Sequence, residues 1–142
     1  MMIYLSIPYA GHEYVSFRVS CAVAAKLVEV GNVAIAPIIH GHTLSEHGHM
    51  LDHGRDFWLK HDLEILYHCN QVVVVKLKGW EESVGVQAEM AEARKLGIPI
   101  LFVDPSWFVS PELMHIWANM DLDDDFNFAG PPPKEDETNE SL

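Results

Sequence analysis

Basic residues are scarce in this chain. Nine lysines and arginines stand against 21 aspartates and glutamates, a formal net charge of −12. Binding a nucleic-acid polymer needs clustered Lys and Arg to neutralise phosphates, so that class of partner is excluded. A single nucleotide is not, because one phosphate can be held by backbone N–H groups. Cysteine is scarcer still. Cys21 and Cys69 lie in apolar helical contexts with no CxxC partner, and read as reduced core residues. No apolar run approaches the length needed to cross a bilayer, so no membrane partner is expected. The opening MMIYLSIPYAGHE has neither a basic start nor a long apolar stretch. It does not read as a signal peptide, and a cytoplasmic location is expected.

What is present suits one globular domain: 142 residues, 49% of them hydrophobic. The acid is unevenly placed. Residues 121–142 hold eight acids and one lysine, a net of −7, which leaves −5 on the other 120 residues. Composition predicts a disordered acidic tail over 129–142 behind an α/β domain over 1–128.

Four short apolar runs alternate with helical patterns. Ile3–Ile7 is rich in β-branched and aromatic residues and reads as a strand, broken by Pro8, Ala10 and Gly11. A helix is expected from about Glu13 to Val30, stopped by Gly31. Val33–Pro37 reads as a second strand. Residues 38–54 then read as an irregular stretch, of a length that in compact domains is usually functional or mobile. A second helix follows from about Arg55 to Cys69. Gln71–Leu77, apolar almost throughout, reads as a strand covered on both faces. A third helix spans about Ser83–Leu96 and ends at Gly97; Ile98–Val103 is a fourth strand. Ser110 and Pro111 make a helix start, cap and first residue, for a helix to about Met120. Such alternation predicts a mostly parallel sheet with right-handed crossovers.

The segment GWEESVGVQAEMAEARKLGIPI, from Gly79 to Ile100, carries the main chemical signal. A Gly-bearing turn leads into a helix at Ser83 and Gly85, and Glu89 follows one turn later. An anion-binding helix start and a carboxylate then stand together at the end of a parallel sheet, where open α/β folds bind ligands. A solvated helix glutamate is the plain alternative for Glu89. Asp62 sits inside the apolar stripe formed by Trp58, Ile65 and Leu66. Burying a carboxylate costs several kcal/mol unless it is paired or used, and such groups cluster at sites. Tyr4, near the end of the first strand, is placed to reach a carboxylate on the next strand's edge. Ser83 is explained by capping alone, yet its hydroxyl and the N–H groups of Val84 and Gly85 also suit a phosphate. Arg18 is a candidate second phosphate contact. Seven of nine histidines fall between His40 and His68, but their spacings match no familiar zinc pattern. No metal site is expected; His40 or His42 would line a pocket mouth.

Three motifs in order, IYLSIPYAG, FWLKHDLEILYHCNQVVVV and GWEESVGVQAE, resemble the nucleoside 2-deoxyribosyltransferase superfamily over roughly residues 2–103. The nearest pattern is that of an uncharacterised bacterial and phage branch with GWxxSxGxxxE. The resemblance implies a Rossmann- or flavodoxin-like single α/β domain with a mostly parallel sheet of four to five strands flanked by helices. It implies no cofactor. It carries the nucleophilic glutamate to Glu89, the base-protonating aspartate to Asp62 and the tyrosine that positions the nucleophile to Tyr4. It places Ser83 at a substrate-binding position, and Gly85, Pro8, Arg18 and His40 are taken as further substrate-binding candidates. Transferases acting on free nucleosides tend to carry aspartate where this chain has Ser83, and nucleotide N-glycosidases carry serine. The expected substrate is therefore a nucleoside 5′-monophosphate, with a nucleoside as the other option, and hydrolysis and deoxyribosyl transfer both open. Asn70, where relatives often have aspartate, is expected to be structural. A homodimer or larger homo-oligomer is implied, with His115 or Trp117 of the 111–120 segment as contributors to a neighbour's site. Two other functions fit less well: a nucleotide-binding protein that has lost turnover, and a TIR-like NAD glycohydrolase.

Overall fold

The computed structural model of the protein describes residues 1–120. Ten elements follow one another: β1 (Met2–Ser6), α1 (Glu13–Glu29), β2 (Val33–Ile35), α2 (Pro37–His47), α3 (Gly54–Tyr67), β3 (Gln71–Val75), α4 (Val84–Leu96), β4 (Ile100–Val103), a short 3-10 turn (Pro105–Trp107) and α5 (Pro111–Ala118). The strands pair in the order β2-β1-β3-β4, all parallel. This is the flavodoxin-like arrangement expected, with four strands among the described residues. The order reverses between β1 and β3, and the crevice beyond the carboxyl ends of those strands is the binding place of such folds. The expected tail over 129–142 and the domain end at 128 lie outside the described residues.

Alternation along the strands builds two cores. Ile3, Leu5 and Ile7 join Val73 and Val75 on one face, under Tyr14, Val15, Val19 and Val23 of α1 and Trp117 of α5. Tyr4, Val72 and Val74 turn to the other face, against Leu66 of α3 and Val86, Met90 and Ala93 of α4. β3 is buried from Val72 to Val75, as a strand covered on both sides must be. Asn70 pins the strand starts together. Its Oδ1 accepts from Met2 N at 2.8 Å, and its N–H donates to Met2 O at 2.8 Å.

The expected irregular stretch over residues 38–54 is mostly helix. Pro37 sits at the first turn of α2, where its missing N–H is harmless, and Gly48 follows the last turn. The stretch has weak helical propensity of its own, with three glycines and several histidines and β-branched residues. Packing holds it instead. The His42 ring is buried and stacked on Phe17 of α1 at 4.0 Å, and its Nδ1 lies 2.9 Å from the Tyr9 hydroxyl. Neither cysteine forms a disulfide. Among the described residues no helix is long and apolar enough to cross a membrane.

Candidate active site

β1 supplies the first two polar groups. Tyr4 and Ser6, two residues apart, face the α3–α4 side and are buried. α4 supplies the third. It starts where Ser83 Oγ accepts from Val86 N at 3.3 Å and stops at Gly97, whose φ of +71° suits a glycine. The start is fixed further by Gln87, whose side-chain amide donates to Glu81 O at 2.9 Å. Glu89, five residues on from the end of β3's loop at Val84, therefore faces the carboxyl end of β1. Ser6 Oγ donates to Glu89 Oε1 at 3.3 Å in a buried bond.

Glu89 is 9% exposed, and among the described residues no basic side chain is ion-paired with it. Burial pushes its pKa from 4.5 up to about 8; the Asp62 charge adds to the rise, while Tyr4 and Ser6 oppose it. The Tyr4 hydroxyl is buried without a hydrogen-bond partner of good geometry. It is nevertheless close enough to Glu89 and Asp62 that its proton is held far above the ordinary phenol range, by burial first and by the two carboxylates next. Tyr4 and Glu89 are close neighbours, not a well-aligned hydrogen-bonded pair. Asp62 is partly buried, and burial raises its pKa against the pull of His61 and His40.

Gly85 keeps the space between the helix start and the carboxylate clear. A Cβ there would stand 3.8 Å from Glu89 Oε1 and 4.0 Å from Ser83 Oγ. The Ser83 cap uses the oxygen as acceptor, so the hydroxyl proton remains a donor, and the first-turn N–H groups of Val84 and Gly85 have no intrahelical acceptor. The rim is closed by the turn at Gly79, whose φ of +93° favours glycine and against which the His12 ring is packed.

Tyr4, Asp62, Glu89, Ser83, Gly85 and His40 are thus brought to one end of the sheet. His40 stands over His61, rings 5.7 Å apart and 11° from parallel. Pro8 is buried in the β1–α1 connection, where its carbonyl accepts from the Ser16 hydroxyl. Arg18 is not brought into this cluster. It lies on α1, on the opposite face of the sheet from α4, with its guanidinium 4.7 Å from the Trp117 ring centroid and donating to the Tyr14 hydroxyl at 3.0 Å. It ties α1 to α5. Trp117 itself is buried in this chain's own core, so it is not offered to a neighbour. His42 is likewise a packing residue. Among the described residues no three His, Cys, Asp or Glu side chains converge to hold a metal. Ser6 is the functional candidate that the sequence reasoning missed. Its signal was there: the strand period of two puts it beside Tyr4. An open groove of about 460 Å³ on the outer side of α3 and α4, lined among others by Leu59, Leu63, Tyr67 and Glu92, contains none of these groups.

A buried acid beside a phenol and a second carboxylate thus stands at the switch point of a parallel sheet in an α/β protein. The chain belongs to the family described as a domain of unknown function, DUF1937, whose model matches residues 1–104. A search of curated proteins gives no match. Among solved structures, a 2-deoxyribosyltransferase from the psychrotolerant bacterium Bacillus psychrosaccharolyticus superposes with a TM-score of 0.57, covering 87% of this chain and 95% of that one. At 16% identity the likeness establishes a shared fold.

Proposed function

We propose that the protein cleaves the N-glycosidic bond of a nucleoside 5′-monophosphate through a covalent glycosyl–Glu89 intermediate. The observation that carries this is Glu89 itself: a buried carboxyl with no counter-cation among the described residues, held by Ser6 and facing Tyr4 and Asp62. A structural role would not require so costly a group. The 2-deoxyribosyltransferase that shares the fold gives the reaction class.

In this mechanism Glu89, as the carboxylate, attacks the anomeric carbon opposite the base. The C–N bond breaks through an oxocarbenium-like transition state. The buried anion has little water to shed before it attacks. Tyr4 and Ser6 hold its orientation. Asp62, or a water it orients, delivers a proton to the departing base. Water then releases the sugar phosphate and frees Glu89; a second base in place of water gives transfer. Ser83 and the first N–H groups of α4 take the 5′-phosphate, where the helix dipole favours an anion.

The test is incubation with mixed nucleoside 5′-monophosphates, the parent nucleosides and NAD, followed by chromatography for free base. Base released from the monophosphates ahead of the nucleosides is expected. Nicotinamide alone would replace this function with NAD cleavage, and binding without any release would leave a nucleotide-binding protein.

Ser6→Ala gives a finer check. The hydroxyl stabilises the ionised form of Glu89, so its loss should raise the pKa of that group. A hydrogen bond to a charged group is worth about 1.5 kcal/mol, or roughly one pH unit. The acid limb of kcat/KM should move up by about that much, with the plateau largely kept. An unmoved limb would remove Ser6 from the site.

A further inference from the structure

Asp62 does not stand alone. The Nδ1 of the neighbouring His61 lies at hydrogen-bond distance from Asp62 Oδ1, 2.9 Å. Adjacent residues of a helix normally diverge by about 100°, so this contact requires both side chains to swing toward one point. The His61 ring is fixed there from two sides. His40 of α2 lies nearly parallel to it at 5.7 Å, and the edge of Trp58 meets it at 5.6 Å and 80°. Gly41 makes room for Trp58, whose ring would stand 3.5 Å from a Cβ at that position. The His61 side chain is 38% exposed, so it can exchange protons with solvent, whereas Glu89 is buried. Around Asp62 the charged and titratable groups are His61 on α3, His40 from α2, Glu89 from α4 and Tyr4 from β1.

We propose that His61 supplies the proton that Asp62 passes to the departing base, with His40 and Trp58 holding the imidazole in line. This rests on the glycosidic-bond cleavage proposed above. In the first step Glu89 forms its bond to the anomeric carbon, and the C–N electron pair leaves with the base. The base takes the carboxyl proton of Asp62, and the His61 imidazolium restores it. One carboxylate and one imidazolium become an ester, a neutral base and a neutral imidazole, so charge and protons balance. In the second step water attacks the anomeric carbon, the C–O bond to Glu89 breaks and restores its carboxylate, and the water's proton returns through Asp62 to His61.

The discriminating experiment compares two leaving groups in wild-type protein, His61→Ala and His61→Asn. One substrate is a nucleoside 5′-monophosphate that the wild type cleaves. The other is 4-nitrophenyl ribofuranoside 5-phosphate, whose leaving group departs as a stable anion and needs no proton. Followed in the first turnover, base release by His61→Ala should fall about 100-fold, while nitrophenol release should change less than about threefold. Added imidazole should restore part of the lost base release. His61→Asn keeps a donor for Asp62 but has no proton to give up, so it should match the wild type in melting temperature and the alanine variant in rate. Equal slowing of both substrates, or of neither, in the presence of an active wild type overturns the inference. A wild type inert on both substrates overturns the glycosidase function itself, and this inference with it.

Discussion

Replacing Glu89 with glutamine should suppress base release by about 10⁴-fold or more, the scale on which loss of a covalent nucleophile acts. The same change should stabilise the protein at alkaline pH. The sign follows from the direction of the shift. The Glu89 pKa rises from 4.5 to about 8 on folding, so the native state holds this proton over that interval while the unfolded chain gives it up. Wild-type stability is therefore greatest, as far as this group is concerned, below about pH 4.5, and declines as pH climbs to about 8. The full loss is on the order of 5 kcal/mol at most. Glutamine does not titrate, fits the same space and retains an oxygen for the Ser6 hydroxyl. Thermal melts from pH 5 to 9 should show the difference between variant and wild type growing with pH and levelling above 8. The kinetic counterpart, read on a 4-nitrophenyl substrate that needs no proton donor, is a wild-type first-turnover rate that increases toward pH 8 as the nucleophile ionises. If the variant releases base as the wild type does, or if the two melting curves run parallel, the nucleophile lies elsewhere.

The second large effect is expected at the head of α4. Aspartate caps helices as well as serine does, so Ser83→Asp should leave the fold and the Val86 N contact in place. What changes is charge. A phosphate held a few ångströms from a new carboxylate is repelled by roughly 1–4 kcal/mol, depending on how wet the site is. The change should raise KM for the monophosphate by about 100-fold and leave the parent nucleoside within a few-fold. Specificity would move from nucleotide toward nucleoside. Steady-state kinetics on the two substrates provide the readout. An unchanged preference would separate Ser83 from phosphate binding and return it to capping alone.

The residues differ in how visibly their roles were written. β1, β3 and α4 were legible because their signals are local: β-branched runs for the strands, and a serine cap with a closing glycine for the helix. Glu89 and Asp62 stood out because each carboxylate interrupts an apolar face. α2 was not legible. Its histidines, glycines and β-branched residues favour a loop, and the helix persists because His42 is stacked on Phe17 and bonded to Tyr9. Those partners are distant in sequence, so no local pattern reveals them. The partners of Arg18 were hidden for the same reason. A guanidinium over Trp117 of α5 looks, in one dimension, like a cation awaiting an anion. The pairing of His61 with Asp62 was hidden differently: adjacency in a helix argues against contact, and only the rings of Trp58 and His40 turn the imidazole to meet its neighbour.

β1 joins chemistry to architecture in a way that limits how this strand can vary. Leu5 and Ile7 belong to one core while Tyr4 and Ser6 serve the other side. An insertion or deletion of one residue within β1 would exchange the two sets, sending a phenol and a hydroxyl into hydrocarbon and two aliphatic chains toward Glu89. Catalysis and folding would fail together. Divergence along this strand is therefore confined to point substitutions that respect its parity, and length changes must accumulate in the connecting loops.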